Sequence, residues 1–306
     1  MDLLVEGAFR IPLRVAFRGL RVREGMLLRG PQGWGEYSPL PGASPEEAEA
    51  CWRSAREAAL RPWPPSVRHA VPVHATVPEV SAEEAAAIVR ESSCPAAKVK
   101  VGDDAEEARV EAVRDALGPG GRIRIDANGA WDVPTARSRI RRLARYGLEL
   151  VEQPVPTLEE MAELRRLVEV PLAADESVRT AEQARRAAEL SAADALVVKV
   201  QPAGGVWAAL ALAEAGLPVI VSSWIETSVG LAAGLALAAA LESLPYACGL
   251  ATGYLLQGDV VDQGLRPSGG AIALGRPPVS EEALARFRVD PVELPFTRPA
   301  NSLGDA

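Results

Sequence analysis

The chain has 306 residues, of which 48% are hydrophobic and 24% are charged, and its formal net charge is −8 at pH 7. This composition is typical of a packed globular enzyme, and the acidic balance argues against sequence-independent nucleic-acid binding, which relies on clustered Lys and Arg. The chain has only two histidines, His69 and His74, so neither a histidine-based hydrolase nor a histidine-rich metal site is expected.

The first 66 residues differ from the rest and predict a small α+β unit. Residues 26–42 are rich in Gly and Pro, and Ser44, Pro45 and Glu47 match the start of a helix with a capping box. The Pro-rich segment 61–66 is typical of a linker. We therefore predict a capping domain over residues 1–66, joined by the C-terminal tail 265–306, and a barrel catalytic domain over residues 67–264.

From about residue 70 onwards, short apolar segments alternate with helix-like stretches rich in Ala, Glu, Arg and Leu. The apolar segments are Val71–Val73, Ala97–Val101, Arg122–Asp126, Leu148–Glu152, Leu172–Asp175, Ala195–Val200 and Pro218–Ser222. Capping-box patterns at Ser81 with Glu84 and at Thr180 with Gln183 mark two helix starts. Regular strand–helix alternation requires a parallel sheet. We predict an α/β fold, a modified (β/α)7β TIM-type barrel with a small α+β capping domain.

Lys98 and Lys100 stand in the apolar segment 97–101. Residues at i and i+2 of a strand lie on one face, so both ammonium groups should face the barrel interior. Burial and like charge both lower the pKa of a lysine, which can then act as a general base near neutral pH. The alternative is that both lysines form structural ion pairs within the barrel.

Three carboxylates, Asp126, Glu152 and Asp175, lie where an apolar segment ends and a helix-like stretch begins. Their separations of 26 and 23 positions match the length of one strand–loop–helix unit. In a parallel barrel they would converge at its carboxyl-terminal mouth. Three hard oxygen ligands without a nearby His or Cys favour Mg²⁺, with Mn²⁺ as the second choice, over zinc. The alternative treats each acid as the partner of an Arg or Lys.

Further polar residues belong to the same strands. Arg124 lies two positions before Asp126 on the same strand face and is a candidate contact for an anionic substrate, while Asn128 follows two positions after it. Lys199, in the apolar segment 195–200, would face the two earlier lysines across the barrel. A metal ion and flanking ammonium groups would stabilise the enediolate that forms when a carboxylate loses its α-proton.

These motifs resemble the enolase superfamily, specifically its muconate-lactonizing-enzyme-like branch. The matching stretches are Lys98-Val99-Lys100, Asp126-Ala127-Asn128, Glu152-Gln153-Pro154, Asp175-Glu176-Ser177, Lys199 and the capping-loop segment Gly33–Gly42. Enolase-superfamily sites generally use a Lys or His base with Mg²⁺ against an enediolate. The resemblance implies that Lys100 is the base, Lys199 the stabilising cation and Lys98 the group that tunes Lys100, with Mg²⁺ held by the three carboxylates.

Within the branch, the chain looks most like the o-succinylbenzoate synthases. Its capping unit is short, Arg124 precedes the first metal ligand, and the segments 222–228 and 249–252 are similar to the late-barrel segments of those enzymes. The resemblance implies a syn dehydration of 2-succinyl-6-hydroxy-2,4-cyclohexadiene-1-carboxylate to o-succinylbenzoate in menaquinone biosynthesis. It also implies that Ser222 and Ser223 contact the succinyl end, and that Asn128 belongs to the substrate site.

Two other functions stay open at this point. A racemase of N-acylamino acids or a dipeptide epimerase of the same branch would use the same metal, with Lys100 and Lys199 as bases on opposite faces. Residues 246–252 contain no Asp, whereas the epimerases usually carry an Asp-x-Asp motif in the last barrel strand. A non-catalytic ligand-binding barrel is the alternative from another class, although it would have little reason to keep six costly charges.

The cellular setting is also predicted from the sequence. The three cysteines, Cys51, Cys94 and Cys248, show no paired spacing and are expected to be reduced thiols in a cytoplasmic protein. No signal-peptide pattern lies near Met1, and the longest apolar run, 231–241, is too short to span a bilayer. The expected partner is a small-molecule carboxylate rather than nucleic acid or a membrane. Monomer and homo-oligomer remain open.

Overall fold

The computed structural model describes residues 3–296 and contains a smaller antiparallel sheet near the N-terminus. Its strands are β1 (Leu4–Phe17), β2 (Leu20–Gly30) and β3 (Gly33–Tyr37), and the short strand Arg288–Val289 pairs with the outer side of β1.

Helix α1 (Pro45–Leu60) packs on this sheet. The predicted N-cap is confirmed, because the Ser44 side chain accepts from the backbone N–H of Glu47 and proline occupies the first turn. The reciprocal bond of the predicted capping box, from the Ser44 N–H to the Glu47 side chain, is not among the bonds of this helix start within residues 3–296. Gly35 permits the close contact between α1 and β3, since a Cβ there would lie 1.9 Å from the Ala55 carbonyl oxygen.

The larger sheet closes into a barrel of eight parallel strands. They are β4 (Ala70–Val77), β5 (Ala96–Lys100), β6 (Arg122–Asp126), β7 (Leu148–Glu152), β8 (Leu172–Ala174), β9 (Ala195–Lys199), β10 (Val219–Ser222) and β11 (Cys248–Ala251). Each strand pairs in parallel with the next, and β11 pairs in parallel with β4. The predicted α/β barrel is confirmed.

Helices connect the barrel strands. They are α2 (Ala82–Ser92), α3 (Glu106–Leu117), α4 (Val133–Leu143), α5 (Leu158–Arg165), α6 (Ala181–Glu189), α7 (Val200–Ala203), α8 (Val206–Ala213) and α9 (Ser228–Ala240). Short 3₁₀ turns cover Ala144–Tyr146, Gly253–Leu255 and Pro291–Glu293. Both predicted capping boxes form, at Ser81 with Glu84 and at Thr180 with Gln183. None of the helices within residues 3–296 has the length and apolar character needed to cross a membrane.

The C-terminal tail contacts both sheets. Strand β12 (Ala271–Ala273) adds antiparallel to β4 of the barrel. After α10 (Glu281–Ala285), β13 (Arg288–Val289) pairs with β1 of the smaller sheet. The tail, predicted over 265–306 as part of the capping domain, therefore begins on the barrel and only then reaches the smaller sheet. Its last part, 297–306, lies outside the described residues.

Candidate active site

A pocket of about 570 Å³ lies at the carboxyl ends of the barrel strands, facing the smaller sheet. The smaller unit contributes the β1–β2 turn, 17–20, and the loop 40–43 to its lining. The barrel contributes most of the charged groups. The charged residues that line the pocket are Arg18, Glu47, Lys98, Lys100, Asp175, Glu176, Arg179 and Lys199. The mouth of the barrel is thus a polar cavity, and loops of the smaller unit form part of its wall.

Strand register brings the predicted lysines and carboxylates together. Lys100 pairs with Asp126 across β5 and β6, and Asp126 pairs with Glu152 across β6 and β7. Asp175 follows directly after β8. Lys199 ends β9, which is four strands from β5 in either direction around the closed barrel. Lys100 and Lys199 therefore approach the pocket from opposite sides.

Buried ion pairs link the lysines to the carboxylates. Lys98 Nζ donates to Asp126 Oδ2 at 2.9 Å and to Glu152 Oε1 at 2.5 Å. Lys100 Nζ donates to the same Asp126 oxygen at 2.5 Å. Lys199 Nζ donates to both oxygens of Asp175. All six side chains are less than a tenth exposed, so these charges act in a low-dielectric environment.

Asn128 holds Lys100 from a second direction. Its Oδ1 accepts from Lys100 Nζ at 2.7 Å, and its Nδ2 donates to Glu176 Oε1 at 2.8 Å. Glu176 also accepts from Arg18 of the β1–β2 turn, at 3.1 Å. The Phe17 ring centroid lies 5.3 Å from Lys100 Nζ. The smaller unit therefore reaches Lys100 through an aromatic contact and through a short chain of hydrogen bonds.

The pKa directions separate the two neighbouring lysines. Burial lowers the pKa of Lys100, and the charge of Lys98 lowers it further, against the attraction of Asp126. Burial also disfavours the charged form of Lys98, but Asp126, Glu152 and Asp175 outweigh it and raise its pKa. Lys98 therefore stays charged, while Lys100 is the lysine that more readily gives up its proton.

The carboxylates fit a divalent cation, although lysines now lie between them. Within residues 3–296, no group of three or more His, Cys, Asp or Glu side chains is arranged to hold a metal as it stands. The ammonium groups of Lys98 and Lys199 bond the oxygens that would bind it. Burial, with the charge of Asp126, raises the pKa of Glu152 to about 8 despite Lys98. The hard oxygen donors of the three carboxylates suit a hard divalent cation.

The two predicted serines differ in their availability. Ser222 and Ser223 both line the pocket at the end of β10. Ser223 Oγ donates to Glu226 at 2.6 Å and accepts from Thr252 Oγ1 at 2.8 Å and from the Ile225 N–H at 2.7 Å. Because its single hydrogen and both lone pairs are used, Ser223 shapes the loop rather than offering a hydroxyl to a ligand. Ser222 lies beside it without such a set of bonds.

Arg124 does not line the pocket, which differs from the expectation that it meets the substrate. It shares a face of β6 with Asp126 but lies one layer deeper, where it is 1% exposed. Its Nε donates to Glu149 at 2.6 Å and its Nη1 donates to the Ala247 carbonyl at 2.7 Å. Arg124 is therefore held inside the barrel by structural partners.

Several pocket residues were not predicted. Glu176 and Arg179 follow Asp175, and Arg179 Nη1 donates to the Asp175 carbonyl at 2.6 Å. Glu176 stands beside a predicted ligand, so its position after β8 was a usable signal. The turn at Phe17 and Arg18 was harder to find, because it comes from the smaller unit and only the docking of the two units brings it to the pocket.

Comparisons with known proteins agree with this architecture. Residues 80–278 match the family described as enolase C-terminal domain-like, and residues 8–59 match enolase N-terminal domain-like. The chain is 59% identical to an o-succinylbenzoate synthase of Thermobifida fusca, over 93% of this chain and 92% of that protein.

Two solved structures share the fold. The L-Ala-D/L-Glu epimerase from Bacillus subtilis is 26% identical, with a TM-score of 0.77 over 91% of this chain and 97% of that one. Muconate lactonizing enzyme from Pseudomonas fluorescens is 22% identical, with a TM-score of 0.81 over 94% and 98%. The resemblance drawn from the motifs is confirmed: the chain belongs to the o-succinylbenzoate synthase family of the enolase superfamily.

Proposed function

We propose that the chain is an o-succinylbenzoate synthase, a hydro-lyase that dehydrates 2-succinyl-6-hydroxy-2,4-cyclohexadiene-1-carboxylate to o-succinylbenzoate in menaquinone biosynthesis. One observation carries the proposal. Lys100 and Lys199 reach the pocket from opposite strands and flank three buried carboxylates, in a chain 59% identical to an o-succinylbenzoate synthase. The three unpaired cysteines support a cytoplasmic setting for it.

The lysines divide the work. Lys100 Nζ removes the α-proton of the substrate carboxylate, and the electron pair enters the enediolate. The same ammonium group then returns that proton to the departing hydroxyl, which leaves as water from the same face. Lys199 places positive charge beside the enediolate from the opposite strand. Lys98 remains charged, and its repulsion lowers the pKa of Lys100, so that Lys100 can act as the base.

We propose that Asp126, Glu152 and Asp175 hold Mg²⁺, with Mn²⁺ as the alternative. When bound, such an ion stabilises negative charge on the substrate carboxylate. Lys98 and Lys199 would release the carboxylate oxygens to it and turn toward the substrate.

We also propose that residues 1–66 act as the capping domain and residues 67–264 as the catalytic barrel. In this proposal Ser222 contacts the succinyl end of the substrate, and Arg124 does not.

A direct assay tests the proposal. The chain is incubated with the cyclohexadiene carboxylate and Mg²⁺, and the appearance of the aromatic product is followed by its absorbance, with and without a chelator. We expect dehydration that disappears on chelation and returns with added Mg²⁺. No dehydration under any of these conditions would refute the proposed function.

A racemase is the second candidate, because Lys100 and Lys199 occupy the opposite sides that a two-base mechanism needs. Incubation with N-succinyl amino acids in deuterated water separates the two functions. Fast racemisation with α-deuterium uptake, without dehydration of the cyclohexadiene, would replace the synthase assignment with the racemase. Turnover of any kind excludes the non-catalytic barrel.

A further inference from the structure

A group of buried polar side chains joins the smaller unit to the barrel, and we call it the interdomain polar cluster. Its members are Arg23, Glu36 and Ser38 from the smaller unit and Gln201, Glu226 and Thr227 from the barrel, and each is at most 3% exposed. None of them lines the pocket, and the proposed chemistry uses none of them. Burying so many polar groups is costly, so the cluster calls for an explanation.

Arg23 stands at the centre of the cluster, and within residues 3–296 its side chain bonds only to backbone carbonyls. Its Nε donates to the Ile225 carbonyl at 3.0 Å. Its Nη1 donates to the Pro39 carbonyl at 3.1 Å and to the Glu24 carbonyl at 3.2 Å, and its Nη2 donates to the Ser38 carbonyl. Arg23 makes no salt bridge within the described part of the chain. A single guanidinium thus holds two chain segments from different units.

Both segments lead directly into the pocket wall. The loop 40–43 follows Pro39, and the loop 222–225 ends at Ile225; both loops line the pocket. This part of the pocket wall is therefore formed by one loop from each unit, and Arg23 bonds to the base of both loops. The rigid fork of an arginine suits this arrangement, because several donors in one plane can serve acceptors on both sides.

Other members of the cluster strengthen the same junction. Gln201 accepts from the Ser38 N–H at 3.0 Å and donates to Ser38 Oγ at 2.8 Å. Glu36 accepts from Thr227 Oγ1 at 2.5 Å and from Ser38 Oγ at 2.7 Å. Glu226 accepts from the Trp224 N–H at 2.6 Å. Glu36 thus links Ser38 to Thr227, but Arg23 is the member of the cluster that bonds to the backbone carbonyls at the bases of both loops.

We infer that Arg23 is a positioning residue that fixes the loops 40–43 and 222–225 as one pocket wall, and so sets substrate affinity without touching the substrate. The lysines and carboxylates of the site lie on barrel strands or directly after one, and Arg23 bonds to none of them. The kinetic part of this inference rests on the proposed function. Its structural part, the ordering of the two loops, does not.

The test uses Arg23→Met, which keeps an unbranched apolar stem but leaves the carbonyls unpaired, and Arg23→Lys, which keeps the charge but not the fork. Arg276→Met is the matched control. Arg276 donates to the Ala58 carbonyl and stacks on Trp63 with 3.7 Å to the ring centroid, away from the pocket. All assays are run well below the unfolding temperature of each variant.

We expect Arg23→Met to raise KM by about tenfold while kcat changes by less than about threefold, the pattern of lost binding that is equal in ground and transition states. Arg23→Lys should fall between it and wild type. Arg276→Met should leave KM unchanged even if its thermal stability falls. An unchanged KM in both Arg23 variants, or a loss of kcat alone, overturns the inference. If Arg23→Met does not fold, the comparison is made with Arg23→Lys.

Hydrogen exchange supplies a readout that needs no activity. The amides of Trp224, Ile225 and Thr227 should exchange faster in the Arg23 variants than in wild type and in Arg276→Met. Equal exchange in all proteins overturns the inference. If wild type shows no dehydration while these amides respond as expected, the proposed function fails and the positioning role of Arg23 stands.

Discussion

Glu36 makes folding stability depend on pH in a way that can be measured. It is 2% exposed, and burial raises its pKa from the ordinary 4.5 to about 7. The charge of Glu226 also raises this pKa, whereas the hydrogen bond from Thr227 and the charge of Arg23 lower it. The interval between these two values corresponds to about 3 kcal/mol, at 1.36 kcal/mol for each pH unit.

The sign follows from linkage. A carboxyl whose pKa is higher in the folded state holds its proton more firmly when folded, so its favourable contribution is complete below pH 4.5 and is lost as the pH rises to about 7. Glu36→Gln removes this titration. The stability of wild type relative to Glu36→Gln should therefore fall by about 3 kcal/mol between pH 4.5 and pH 8.

Urea unfolding of both proteins at pH 5, 6, 7 and 8 measures this difference. The substitution also alters hydrogen bonds, but this shifts the free-energy difference by the same amount at every pH and does not change its dependence on pH. The surface variant Glu282→Gln, whose parent side chain is 82% exposed, is the control for burial. A wild-type-minus-variant difference that stays flat from pH 5 to pH 8, or that rises, would refute the reasoning.

Two further substitutions test the barrel site. Asp126→Asn should weaken Mg²⁺ binding in calorimetry by about two orders of magnitude, or about 3 kcal/mol, because it removes one charged ligand; Asp132→Asn, at a helix cap outside the pocket, is the control. Equal affinity in both variants would contradict the metal assignment. Arg124→Met should lower the free energy of unfolding by about 2 kcal/mol and leave KM unchanged, because it removes the donor to the Ala247 carbonyl and the nearer of the two arginines that pair with Glu149. A raised KM with normal stability would restore Arg124 as a substrate contact.

Much of the barrel could be predicted from sequence because its signals are local. Each strand is a short apolar run, each carboxylate marks a strand end, and alternation with helices requires parallel pairing. The first barrel strand is longer than predicted, at Ala70–Val77. Its segment 70–77 contains the exposed Pro72 and the polar His74 and Thr76, which interrupt the apolar run although the last two are buried.

The parts that could not be predicted depend on docking between units. Arg23 and Glu36 are charged residues in strands of the smaller sheet, and nothing in their neighbours indicates that the barrel buries them. Arg124 shows the opposite case. Its strand face was predicted correctly, but periodicity gives the face and not the depth, and depth decides whether a side chain meets ligand or pairs with Glu149.

The central claim is that Lys100 transfers the proton. The most direct measurement is the rate of aromatic product formation by Lys100→Ala at saturating Mg²⁺, after cooperative unfolding has shown that the variant is folded. We predict a loss of at least about 10³-fold in kcat, within the range expected for removal of a general acid–base group. A rate within about tenfold of wild type would contradict the assignment of Lys100 as the base.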